Sequence, residues 1–259
     1  MTIGKVCTWM CVTILAAVSA VSTFGQDDKA GHIASLEFQK IKPGMSAQYE
    51  AGRKQKLAWH KSQNDSQPLF VWEVMTGEQT GSYIVGRLGQ HWADMDKPSV
   101  PDQADLDEFN KVMGSYVESL VTRDYEYMPK YSNPGDMGGG PSKYAEVITF
   151  RVKFGHADEF LSGVARVTEA AKKTNWPPRY QWYALYSGGD VGTYVLVEDH
   201  PNWADFEDKP DQKPFSAMLQ DAFGHAQAET IMHDLDNSVM SESSEIIQFR
   251  ADLAYMPSK

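Results

Sequence analysis

A chain that repeats itself at a fixed offset must be built twice, and residues 41–95 of this 259-residue sequence return 111 positions later without a gap. Ile41-Lys42-Pro43-Gly44 comes back as Val152-Lys153-Phe154-Gly155, and Gly52 as Gly163. Gly77 returns as Gly188, Gly81-Ser82-Tyr83 as Gly192-Thr193-Tyr194, and Trp92-Ala93-Asp94-Met95 as Trp203-Ala204-Asp205-Phe206. An offset kept through helix, strand and turn signals makes each copy one supersecondary unit. The length then divides into two similar halves of ordinary domain size.

The order of signals is the same in both halves. A strand pattern (33–41; 145–152) runs through Pro43-Gly44 or Phe154-Gly155 into a segment of helical period (46–61; 157–173). Two β-rich runs follow (69–75 and 83–88; 180–186 and 194–198), joined through Gly77–Gly81 and Gly188–Gly192 as hairpins. A second helical stretch is expected over 105–120 and 215–235. A last strand should end at Glu126-Tyr127-Met128-Pro129 in the first copy and at Ala254-Tyr255-Met256-Pro257 in the second. Between the copies, residues 131–143 are dense in Gly, Pro and polar residues and read as a linker, so the repeats occupy 30–130 and 144–259.

Strand, helix, hairpin, helix, strand is the split β-α-β order of a ferredoxin-like unit, an α+β class. Two such units in tandem resemble the dimeric α+β barrel superfamily in fused form. That superfamily includes antibiotic-biosynthesis-type monooxygenases, stress-responsive barrel proteins and the haem-binding chlorite-dismutase and dye-peroxidase groups. The resemblance implies a pseudo-dimeric barrel with a ligand between one sheet face and the overlying helices. It rests on element order and duplication and carries no catalytic motif, so it speaks to fold before function.

Lys5 followed by the apolar run 6–21 has the layout of a secretory signal peptide, with cleavage between Ala20 and Gln26; export to the periplasm or exterior without a stable membrane anchor is expected. Cys7 and Cys11 both fall inside this segment, so the mature chain would hold no thiol for catalysis, disulfides or metal binding. Losing residues 1–25 removes only Lys5 and takes the formal charge from −11 to −12. An acidic surface of this kind argues against a nucleic-acid partner, whose phosphates are bound by clustered Lys and Arg. A phosphate loop, a His-Glu-x-x-His zinc motif and a Gly-x-Ser-x-Gly elbow are also absent.

Duplication supplies an internal control, since features in both copies point to structure and divergences point to a site. Trp92-Ala93-Asp94 and Trp203-Ala204-Asp205 occur in both and read as a Trp against the sheet edge with the Asp capping a helical turn. The first helix diverges. Arg53, Lys56 and His60, at i, i+3 and i+7, stand where the second copy has Val164, Val167 and Ala171, which continue the apolar stripe from Phe160. With Tyr49, Trp59, Trp72 and Tyr83 they are the candidate ligand-binding residues. Either they line an anion or substrate pocket, or the long stems lie along the sheet rim with their heads in water; the general exposure of charged residues favours the second.

Histidine offers less. His225, Glu229 and His233 stack along one helix side, but the two imidazoles are about 12 Å apart along the axis and cannot share one ion alone. No metal site is assigned from the sequence. His60, His91, His156 and His200 stand singly, and one axial His is all a haem needs, so haem is the cofactor to test, His60 first. Two functions remain: a non-catalytic exported protein that binds a small molecule or partner, and a barrel oxidoreductase, cofactor-independent or haem-assisted. Fusion of two units allows a monomer, while sheet edges left open would allow pairing between chains.

Overall fold

The structure, a computed structural model, describes residues 31–134, 141–207, 209 and 211–257. The signal-peptide reading and the centre of the linker lie outside the described residues. In the first half, β1 (Ile33–Ile41) sends Leu36 and Phe38 to one face and Gln39 and Ile41 to the other, the period-2 alternation of a strand. Gly44, at φ 76, turns the chain into α1 (Ser46–Ser62). β2 (Phe70–Val74) and β3 (Tyr83–Gln90) form the expected hairpin. The short α2 (Trp92–Met95), then α3 (Asp102–Val112), lead into β4 (Val117–Tyr127).

The second half repeats the plan as β5 (Tyr144–Val152), α4 (Ala157–Thr174), β6 (Tyr180–Ser187) and β7 (Thr193–His200), followed by α5 (Phe215–Phe223), α6 (His225–Ser238) and β8 (Val239–Phe249). α4 stops at Asn175, which adopts the left-handed conformation of a helix C-terminus at φ 51.

Three expectations need correction. The second helical stretch of the first copy ends at Val112, a 3-10 turn over Gly114–Tyr116 intervenes, and 117–120 already belong to β4. In the second copy Gly224, at φ 81, breaks the expected single helix into α5 and α6. The closing strand β8 ends at Phe249, earlier than the Ala254–Pro257 expected. The Tyr-Met-Pro likeness misled: Tyr255 instead makes an isolated bridge to Leu69, while its spatial counterpart in the first half is the bridge of Asn133 to Tyr180.

The eight strands close into an antiparallel barrel in the order β1-β3-β2-β8-β5-β7-β6-β4. Each half contributes four consecutive strands, β4-β1-β3-β2 and β8-β5-β7-β6, and the halves are joined at two seams. β2 meets β8 with Trp72 opposite Phe249, and β4 meets β6 with Tyr125 opposite Leu185. Closure removes the sheet edges that either half would expose alone.

Packing follows in three layers. Outside the barrel in the first half, Tyr49 and Met113 pack on Ile41, Val71, Tyr83 and Val85. In the second half, Phe160 and Val164 pack on Val152, Tyr180 and Trp182, and α4 packs on α5 and α6 through Ala170, Met218, Leu219, Ala228 and Ile231. Inside the barrel, Trp72, Ile84, Ala145 and Ile247 from both halves share one cluster. Gly52 and Gly163 sit where helices cross: a Cβ on Gly52 would run into the Val112 carbonyl oxygen of the backbone, and one on Gly163 would meet the Leu235 Cδ2 methyl at 2.7 Å.

Candidate functional site

Two regions of this barrel concentrate chemistry, on opposite faces of the sheet. The first is a cavity of about 420 Å³ inside the barrel. Both halves line it with apolar side chains, the second through Ala145, Val147, Val195, Val197 and Ile247, but they differ at four matched positions. The first half contributes Leu36, Phe38, Phe70, Trp72, Ile84 and Leu88. At the positions 111 residues later, Phe38 is answered by Thr149, Phe70 by Gln181, Trp72 by Tyr183 and Leu88 by Asp199, all of which also line the cavity. At these positions the first half presents rings and hydrocarbon, with Trp72 stacked on Phe70 at 5.7 Å and close to Phe249 of β8 at 6.0 Å. The second half presents a polar relay there: the Tyr183 hydroxyl donates to Gln181 Oε1 at 3.0 Å, and Gln181 Nε2 donates to Asp199 Oδ2 at 3.4 Å.

A charged pair completes the lining. Arg123 on β4 lies opposite Leu36 of β1, and Glu245 on β8 lies opposite Val147 of β5, so the two occupy equivalent places in the two halves. The Arg123 guanidinium lies over the Phe38 ring at 4.6 Å, and its buried Nε has no hydrogen-bond partner. Burial raises the Glu245 and Asp199 carboxyls above the usual carboxylate range, Arg123 opposing the shift of the first and the Gln181 and Ser142 hydrogen bonds that of the second. Burial likewise pushes up the Tyr125 and Tyr183 phenols.

The second region holds most of the residues singled out from the sequence. Arg53, Lys56 and His60 are 2%, 2% and 1% exposed, so the expectation of stems along the rim with heads in water is wrong. The reason is α3 and the loop before it, which lie across this face and bring Asp105 and Ser99 onto it. Lys56 Nζ reaches the Asp105 carbonyl and sits 3.0 Å from its Oδ1, beneath the Trp59 ring at 4.7 Å. His60 Nδ1 is 2.9 Å from Asp65 Oδ2, its Nε2 is 3.4 Å from Asp105 Oδ1 with no hydrogen bond, and its ring stacks on Tyr255 at 5.6 Å. Asp65, whose side chain is fully buried, also accepts from Ser99, from the Gln67 amide at 2.9 Å and from Arg87 Nη2 at 3.0 Å.

Burial drives the pKa values of Arg53, Lys56 and His60 down, with Asp105 opposing it at all three. Burial also acts on Asp65, in the raising direction, but the hydrogen bonds from Ser99, Gln67 and Arg87 outweigh it and hold the carboxyl below its ordinary value. Tyr49 donates to Gln39 Oε1 at 2.7 Å, and burial pushes its phenol up to about 12. Tyr83 donates to Glu50 Oε1 at 2.7 Å. The seven candidates are thus not one site: Tyr49, Arg53, Lys56, Trp59, His60 and Tyr83 lie on the helix side, and Trp72 faces the barrel cavity.

The shared Trp-Ala-Asp motif is only partly as expected. Asp94 accepts from the His91 amide at 2.7 Å and caps α2. Asp205 instead takes His200 Nδ1 at 3.1 Å and Lys209 Nζ at 2.7 Å. Trp92 and Trp203 stay half exposed, packed on Tyr186 and Tyr144. His225 and Glu229 form an exposed ion pair on α6, with His233 on the same open helix.

No family model matches the sequence, and no curated protein does. Solved structures do match in shape. A protein from Lactobacillus acidophilus NCFM proposed to be a monooxygenase superposes with TM-score 0.53 at 8% identity, over 88% of this chain and 97% of that one. An anthrone oxidase-like protein gives 0.50 at 14% identity over 85% and 91%, and the chlorite dismutase of Candidatus Nitrospira defluvii gives 0.50 at 12% over 86% and 93%. This chain has the fold of a dimeric α+β barrel, with both units in one chain. At such identities the likeness establishes the fold of the barrel and leaves its chemistry to the residues.

For haem, those residues do not fit. Both ring nitrogens of His60 face carboxylates and its ring is packed between Trp59 and Tyr255, so no axial position is open. In the second half of the fused barrel, the space between helix and sheet is filled by Phe160, Val164 and Trp182. Among the described residues, the barrel cavity is lined by no His, Cys or Met, and burial raises its Tyr125 and Tyr183 phenols, the opposite of what an axial phenolate needs.

Proposed function

We propose that this fused barrel binds a small, flat, mostly apolar molecule inside the barrel, with its polar edge turned toward the second half. The observation that carries the reading is a mostly apolar cavity with a local polar edge: four ring or aliphatic positions of the first half are answered by Thr149, Gln181, Tyr183 and Asp199 in the second. A volume of about 420 Å³ lies within the roughly 300–1,000 Å³ range of small-molecule sites, which are largely apolar with a few placed polar groups. The ligand would lie against Trp72 and Phe70 and present hydroxyl or carbonyl groups to Gln181, Asp199 and Arg123.

The test is quenching of tryptophan fluorescence by a polycyclic phenol such as a hydroxyanthraquinone, in the native chain and in Val147→Phe. Val147 lines the cavity, and a ring there should fill it, so binding should fall by at least about tenfold, the equivalent of about 1.4 kcal/mol, while the chain stays folded. Undiminished binding in Val147→Phe would place the ligand elsewhere.

A second reading, cofactor-independent oxidation of that ligand by dioxygen, is favoured by one observation. Asp199 and Glu245 are carboxylates whose affinity for a proton is raised by burial against the same cavity that holds Arg123. Such a group can take a phenolic or enolic proton, with the guanidinium stabilising the anion that forms. The monooxygenase and anthrone-oxidase descriptions of structural neighbours agree with this chemistry. Oxygen uptake with anthrone as substrate, lost in Asp199→Asn and Glu245→Gln, is the measurement that separates it from binding alone.

A further inference from the structure

On the outer face of the second half, three potential metal ligands converge where the first half has none. β5 and β7 pair with Glu146 directly opposite Glu198, and His200 follows two residues on along β7, so all three side chains leave the same face of the sheet. Glu146, Glu198 and His200 each offer a ligand atom within 4.8 Å of the other two. At the corresponding positions of the first half stand Ser35, Arg87 and Gly89, a set with no metal-binding power.

The imidazole is prepared in a particular way. Its Nδ1 is held by Asp205 Oδ2 at 3.1 Å and its ring is stacked on Phe206 at 3.9 Å, which fixes both tautomer and direction. The other nitrogen, Nε2, is a buried atom with no hydrogen-bond partner. A histidine oriented through one nitrogen by a carboxylate, with the other left free, is the arrangement that metal-binding histidines use. The two glutamates add a second, independent sign. Like charges directly across a strand pair are destabilising, and Glu146 and Glu198 stand directly opposite each other. A divalent cation reverses the sign of that interaction.

We propose that Glu146, Glu198 and His200 form a binding site for a divalent transition-metal ion, with Asp205 as the residue that positions the imidazole. One imidazole nitrogen and two carboxylates suit zinc and its neighbours, since a purely oxygen set would suit calcium or magnesium and a thiolate set softer ions. Three protein ligands also leave a coordination position open, as catalytic zinc sites do.

The experiment is titration of the native chain with zinc ion alone, followed by calorimetry and by X-ray absorption at the zinc edge. The expected result is one equivalent per chain, with a first shell of one imidazole and carboxylate oxygens, and no comparable uptake of magnesium. Glu198→Gln and His200→Ala should abolish uptake at concentrations that saturate the native chain. Asp205→Asn should weaken it by about 10–100-fold, as expected for a residue that orients a ligand. His225→Ala and His233→Ala, on the exposed face of α6, should change nothing. Glu198→Gln is isosteric and keeps the proposal testable should His200→Ala fail to fold. Absence of saturable uptake would overturn the site, as would uptake that survives Glu198→Gln, depends on His225 or His233, or shows two imidazoles in the first shell.

Discussion

Replacing Asp65 with alanine probes the buried charged layer at the point where most of its bonds meet. The fully buried carboxylate takes His60 Nδ1, Arg87 Nη2, the Gln67 amide and the Ser99 hydroxyl. Asp65→Ala leaves these donors without their acceptor, and His60, which is buried, has little access to water in exchange. Breaking one partner out of a buried ionic network costs about 3–5 kcal/mol, because the remaining charge stays buried and unpaired. Arg87 is 21% exposed and recovers some hydration, which places the expectation near the middle of that range, about 4 kcal/mol. At about 2–4 °C per kcal/mol for a chain of this size, the melting temperature should fall by about 8–16 °C.

Urea unfolding of the native chain, Asp65→Ala, Arg87→Ala and the double variant closes a cycle, and the pair should show a coupling of about 1–3 kcal/mol. The pH dependence has a fixed sign. Asp65 and His60 both have folded pKa values below their unfolded ones, so their contributions are present above 3.8 and 6.5 and are lost as pH falls through the depressed folded values. Native stability should therefore decline on acidification, and Asp65→Ala should flatten the lower part of the decline. A loss under about 1 kcal/mol, or additivity within about 0.5 kcal/mol, would show that these contacts are not a coupled network.

Glu198 should give the opposite pH slope in metal-free buffer. Its folded pKa, raised by burial and then by Glu146 to about 7, lies above the ordinary 4.5, so its contribution is fully present below 4.5 and is lost as pH rises through 7; Glu198→Gln should stabilise the chain at pH 8 relative to pH 5, and equal effects at both would refute the raised pKa. The two helix-crossing glycines should differ. Gly52→Ala drives a methyl into backbone and should cost about 1–3 kcal/mol, whereas Gly163→Ala meets the movable end of Leu235 and should cost less, read as the difference in thermal midpoints of the two variants.

Much of this architecture can be read from the sequence because duplication doubles every signal. The strand, helix and hairpin positions recur at one offset, and the first helix of each copy is bounded within a residue or two. The closing strand was misplaced because the offset changes after the hairpins: β4 and β8 are related by their pairing to β1 and β5, whereas the Tyr-Met-Pro likeness is incidental. Burial of Arg53, Lys56 and His60 was not legible either, since it depends on α3 and the Ser99 loop crossing over α1, a tertiary contact that no local period encodes.

The same comparison that singled out α1 also contained both proposed sites. Phe38, Phe70, Trp72 and Leu88 differ from Thr149, Gln181, Tyr183 and Asp199 as sharply as Arg53 does from Val164, and Ser35, Arg87 and Gly89 differ from Glu146, Glu198 and His200 in the same manner. What the strands could not reveal was which of these differences share a face and a wall. In a sheet open to water on one side, polar residues mark the outside, but here both faces are covered, one by helices and one by the barrel itself, so alternation shows two faces without saying which is which. Closure decides it. Once β2 is paired with β8 and β4 with β6, the odd positions of β6 and β7 must point inward and the even ones outward, so that Asp199 becomes a cavity residue while its chain neighbours Glu198 and His200 become a cluster on the opposite side.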